Sequence, residues 1–74
     1  MNAEETVRYN LKERGIEYDE RVSRGETVFL LNYNRYCGDY TDSISVIGEC
    51  VTYSKHYMSP ESAVFLAFIS SQGK

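Results

Sequence analysis

Apolar side chains recur every four residues at the start of the chain, alternate with polar ones through its middle, and gather into an unbroken block near its end. Ala3, Val7 and Leu11 stand one helical repeat apart among charged neighbours, which predicts an amphipathic helix over residues 3–14 with a narrow apolar stripe. Asn2 is placed to cap it with Glu5 three residues on, and Glu4 and Glu5 suit the positive end of the dipole. Lys12 and Arg14 suit the last turn, and Gly15 suits a left-handed stop.

The run IEYDERV, residues 16–22, sets Ile16, Tyr18 and Val22 against Glu17, Asp19 and Arg21. This predicts a half-exposed strand, broken at Glu20, whose charges favour a sheet edge. SRGE, residues 23–26, is a turn in which Gly25 supplies the positive φ, and TVFLLNY, residues 27–33, is apolar on both faces as far as Asn32, as an interior strand must be. The two strands form an antiparallel hairpin. Residues 43–54, SISVIGECVTYS, are β-rich again, with Ile44 and Val46 on one face and Ile47, Val51 and Tyr53 on the other. Gly48 marks either a bulge in one long strand or the fold between two short ones. A helix from Asp42 would also gather Ile44, Ile47 and Val51, but an interior Gly48 and several β-branched residues favour strand.

At the end of the chain Ser59 is an N-cap, Pro60 takes the first helical position, Glu61 lies in the first turn and Gly73 follows the periodic residues, so a helix of about 18 Å is expected over residues 60–71. Its centre, AVFLAFI, is apolar around nearly the whole circumference. Leu66 and Ile69 fall together with Ala63, while Phe65 and Phe68 form a neighbouring ridge. One sheet face cannot cover both, and the stripe of the first helix is narrow. The pattern therefore predicts a homodimer with Val64, Phe65, Phe68 and Ile69 at the interface. The fold expected is α+β: a small two-layer domain over residues 1–74 with an N-terminal helix, an antiparallel sheet of three or four strands and a C-terminal helix, in the order α-β-β-β-α.

Composition narrows what such a domain can do. Eight basic and eleven acidic side chains give a formal charge of −3, and they are interspersed, which disfavours both a broad polyanion-binding face and an acidic nucleic-acid mimic. The apolar run of residues 63–69 is too short to span a bilayer and the first residues are polar, so neither a membrane span nor a signal peptide is expected and the default compartment is cytoplasmic. Two cysteines make no disulfide framework, and free thiols are expected.

Cys37, Cys50 and His56 fit no short-spaced metal-ligand pattern, so neither metal nor cofactor is expected; Cys50 reads as a small core residue and Cys37 as a loop residue. A Cys–His nucleophilic pair would have no orienting partner. Asp39 and Asp42 read as turn formers rather than paired acids, and no phosphate-cradling loop is present. The chain therefore has no legible catalytic set.

What remains is LLNYNRYCGDYTDS, residues 30–43. Asn32, Tyr33, Asn34, Arg35, Tyr36, Asp39 and Tyr40 have the composition of a recognition surface, with rigid amphipathic rings, adaptable amides and one guanidinium. Tyr53 and Tyr57 extend it if the next strand pairs alongside. The plainer alternative is a hairpin connection whose tyrosines fold over a lean core, since the chain has seven tyrosines and no tryptophan. The leading expectation is a non-catalytic protein-binding module, an adaptor or inhibitor of an unidentified protein, by analogy with small phage and mobile-element proteins. The rival is single-stranded nucleic-acid binding, with Tyr33, Tyr36 and Tyr40 stacking on bases and Arg24, Arg35 and Lys55 meeting phosphates; the acidic balance disfavours it.

Overall fold

The computed structural model describes residues 2–72 and shows α1 (Ala3–Glu13), five strands, β1 (Tyr18–Ser23), β2 (Glu26–Asn34), β3 (Asp39–Ile47), β4 (Cys50–Tyr53) and β5 (His56–Met58), and then α2 (Pro60–Gln72). The strands form one antiparallel meander in sequence order. The small α+β architecture is as the hydrophobic pattern predicts, with five strands in place of three or four.

The extra strands have local causes. Ile47 pairs with Cys50 across a turn at Gly48 and Glu49, so Gly48, at φ +60°, folds the chain between two strands and makes no bulge. Tyr53 pairs with His56 across Ser54 and Lys55, both at positive φ. That is the geometry of a tight hairpin, built here without the usual Gly or Asn. The first of these turns also corrects the assignment of faces. Ile44, Val46, Val51 and Tyr53 are all buried on one side, while Ile47 is exposed. Cys50, expected in the core, is exposed as well. β1 runs unbroken through Glu20 and lies at the sheet edge.

Both helices cover the sheet face that carries Phe29, Leu31, Ile44, Val46, Val51 and Tyr53. Each fully buried large side chain there contributes roughly 1.5–3 kcal/mol. α1 begins as expected, with the Asn2 side chain accepting from the Glu5 N–H at 2.8 Å, and places Ala3, Val7 and Leu11 in the core. Arg8 ties the helix to the edge strand: it reaches Glu4 at 2.8 Å and Glu20 at 2.9 Å while its guanidinium lies 5.8 Å from the centre of the Phe29 ring. Its pKa is raised, chiefly by the hydrogen bond to Glu20, but a pair this exposed is worth little in stability.

α2 packs beside α1 and over β3 and β4. Ser59 caps it, accepting from the Ser62 N–H at 3.2 Å. Its buried stripe is Ala63, Val64 and Ala67, because small side chains allow the helix to approach both the sheet and α1 closely. Val64 is fully buried within the chain; the expectation that it meets a second copy is corrected. Phe65, Leu66 and Ile69 are each exposed by more than two-fifths, and Phe68 is half-buried.

Candidate functional site

The Tyr-rich stretch forms the end of the β2–β3 hairpin. Tyr33 pairs with Tyr40 and Asn34 with Asp39, leaving residues 35–38 as the tip. Asn34 organises it. Its Oδ1 accepts from the backbone N–H of Tyr36 at 2.9 Å and of Cys37 at 3.3 Å, and its carbonyl accepts from the Gly38 N–H at 2.8 Å. Gly38 closes the turn at φ +69°, a conformation that glycine adopts without steric cost. Held on this scaffold, the Tyr36 side chain is 100% exposed, with Arg35 and Cys37 exposed beside it.

Below the tip the hairpin is distorted where Asn32 adopts φ +58°, a left-handed conformation that a non-glycine residue seldom takes and that asparagine tolerates better than most. Two contacts hold it there. The Asn32 side-chain amide donates to the Asp42 carboxylate, and the Thr41 hydroxyl donates to the Asn32 carbonyl at 3.1 Å. The pairing register is the same on either side of the distortion. Beyond it Tyr33 and Tyr40 stack edge-on, with centroids 5.0 Å apart and an interplanar angle of 67°. Tyr40 donates its hydroxyl to Asp19 on β1, and the Asp39 carboxylate accepts from the Tyr40 N–H at 2.8 Å.

These contacts place the seven residues expected from sequence in one region, in different roles. Asn32, Asn34 and Asp39 shape the backbone; Tyr33 and Tyr40 form a ring pair; Arg35 and Tyr36 project. Tyr53 does not extend the surface, because it is buried under α2. Burial is the main cause that raises its pKa, with the nearby Asp42 carboxylate adding to the effect and a hydrogen bond to Ser70 of α2 opposing it. Tyr57 is exposed but lies on the edge strand β5, with β4 and β3 between it and β2.

The tip adjoins a cleft of about 530 Å³ at the same end of the molecule, lined by Tyr33 and Tyr40 together with Arg14, Ile16, Tyr18, Phe68 and their neighbours. A shallower groove of about 450 Å³ continues from it past Tyr33 and Ser71 to Arg35 and Tyr36. The cleft residues outside the hairpin are those sequence reasoning missed. They come from the α1–β1 loop, β1 and α2, and only their common convergence on one sheet end reveals them. The single local hint is Asn32, a polar residue ending an apolar run.

The residues considered for chemistry are scattered. His56 is on β5, Cys37 at the tip and Cys50 beside the β3–β4 turn. Among the described residues no group of three His, Cys, Asp or Glu side chains is arranged to hold a metal ion, and no helix is long and apolar enough to cross a membrane. Compared with protein-family models, curated proteins and solved structures, the chain shows no significant match.

Proposed function

We propose that this chain is a small non-catalytic protein-binding module of the cytoplasm, an adaptor or inhibitor, that engages another protein through the β2–β3 tip and works as a homodimer. One observation carries the reading: a fully exposed Tyr36 ring on a turn held by Asn34 and Gly38. Ordering an aromatic side chain on a prearranged turn lowers the entropy lost on binding, and tyrosine and arginine are enriched among residues that dominate interfaces. The basic residues required by the nucleic-acid reading give it no support. Arg24 lies in the β1–β2 turn, at the opposite end of β2 from Arg35, and Lys55 in the β4–β5 turn.

Self-association rests on α2. Phe65, Leu66 and Ile69 are 47%, 41% and 49% exposed, and they lie close together on one helix, which is an apolar surface suited to a two-fold mate.

Affinity capture from the native cell with the wild-type chain and with Arg35→Ala/Tyr36→Ala tests the first part. A partner recovered by the former and lost with the latter, at a stability unchanged within about 0.5 kcal/mol, is the expected result. Capture unaffected by the variant, or salt-sensitive oligonucleotide binding in its place, sinks it. For the second part, sedimentation equilibrium should give about twice the 8.5 kDa chain mass, reverting to one chain in Leu66→Glu/Ile69→Lys. A wild-type mass of one chain removes the dimer.

A further inference from the structure

The two helices run in the same direction. α1 starts at the β3–β4 turn, where the Ala3 N–H donates to the Glu49 carboxylate at 3.1 Å. α2 starts just after Met58, which pairs with Val51 next to that turn. Both end at the cleft beside the β2–β3 tip, which Gly15 lines from one side and Ser71 and Gln72 from the other. Parallel neighbours bring their negative dipole ends together, each equivalent to about half an elementary charge. The last turn of α1 contains Lys12, whereas that of α2 contains no basic residue.

Most of the charged lining has the same sign. Glu17 and Asp19 contribute two carboxylates, that of Asp19 also accepting from the Tyr40 hydroxyl, and Tyr18, Tyr33 and Tyr40 contribute rings whose faces are electron-rich. The cleft has one described cation, Arg14, and its guanidinium lies against α2, 5.4 Å from the centre of the Phe65 ring and 5.3 Å from that of Phe68. Aromatic faces, carboxylates and helix carbonyl ends together make a site for a second cation beside the tyrosines. The groove that leads from this cleft to Tyr36 suits an extended polypeptide rather than a free small ion.

From this we infer that the cleft receives a lysine or arginine side chain of the partner polypeptide, whose backbone follows the groove toward Tyr36. The inference rests on the protein-binding reading and specifies the partner's chemistry.

The test is a chemical-shift titration of the isotope-labelled full chain with three blocked pentapeptides, AAKAA, AARAA and a version of the first with norleucine at its centre. The lysine and arginine peptides should shift the amides of Glu17, Asp19 and Tyr33 to saturation and bind at least about tenfold more tightly than the norleucine peptide. Glu17→Gln/Asp19→Asn should abolish that preference, and Arg14→Gln, which removes the competing charge, should strengthen binding. If the double variant does not fold, the wild-type preference must weaken as salt rises. Equal binding of the charged and norleucine peptides, or no shift at these amides up to about 10 mM, a concentration that detects even weak affinity, overturns the inference. With that result, a partner still lost on Arg35→Ala/Tyr36→Ala keeps the tip reading in place. Conversely, a charge-dependent shift in the cleft alongside capture indifferent to Tyr36 removes the tip and retains the cleft.

Discussion

The two helices occupy the same sheet face and run side by side, yet they meet the core by opposite means. α1 is mostly polar, and its few aliphatic residues, Ala3, Val7 and Leu11, are all buried. α2 is apolar around its circumference, but what it buries is Ala63, Val64 and Ala67, leaving Phe65, Leu66 and Ile69 exposed. A sparse stripe has one orientation that satisfies it. A helix apolar on all sides has several, and the choice among them falls to shape: small side chains allow close contact with α1 and with Val51 and Tyr53 beneath, whereas phenylalanines in the same place would force the layers apart. Hydrophobicity in α2 therefore exceeds what the fold of one chain buries, and the excess lies exposed.

Exchanging leucine for alanine in the two helices should break this comparison most clearly. Leu11→Ala empties a fully buried site and should cost about 2–5 kcal/mol. Leu66→Ala, read by urea unfolding at low protein concentration, should cost less than about 1 kcal/mol, as expected of an exposed position. An equal loss at Leu66 that grows with protein concentration would show the side chain covered by a second copy.

The small-residue seat provides the next test. Ala67→Leu adds volume at a buried position of the helix and should destabilise by about 1–3 kcal/mol, whereas Ile69→Leu should be neutral within about 0.5 kcal/mol. Ala67→Leu tolerated without loss would mean that α2 is free to rotate, and that its orientation is not selected by packing.

The smallest effect lies where α2 meets Tyr53. Burial raises the pKa of this phenol in the folded chain, so the unfolded chain, with an ordinary value of about 10, loses its proton first. Stability from this group is complete below about pH 10 and declines as pH rises toward the folded value. Tyr53→Phe should flatten that alkaline decline, measured as unfolding midpoints between about pH 9 and 11, while leaving the acid side unchanged.

Local rules made the ends of the elements legible. Asn2 with Glu5, Gly15, the Gly25 turn and the Ser59–Pro60 helix start each act through near neighbours, and each appears where the sequence places it. The β4–β5 turn was not legible because Ser54 and Lys55 adopt positive φ without the residues that usually signal it. Cys50 and the faces of Val51 and Tyr53 differ from the alternation for a related reason: a two-residue turn at Gly48 resets it, and a bulge would have produced the same composition. In the candidate site the tip residues could be named from composition, whereas Tyr18, Asp19, Arg14 and Phe68 could not, since nothing in their own segments distinguishes them from ordinary edge or helix positions.

By itself the sequence determined that the chain would set two terminal helices against an antiparallel sheet, since caps, glycines and hydrophobic period act over a few residues and compete with little else. It also determined that α2 would carry more apolar surface than one sheet can cover. Only the tertiary structure decided which side of α2 that would be, because close packing ranks faces by shape as well as by hydrophobicity. It decided too that Asn32 would take a left-handed backbone against Asp42, and that two parallel helix ends, three tyrosines and two carboxylates would share one cleft. Electrostatic and aromatic contacts of that kind depend on distance in space, and the residues that make them are spread over four elements and the loops between them.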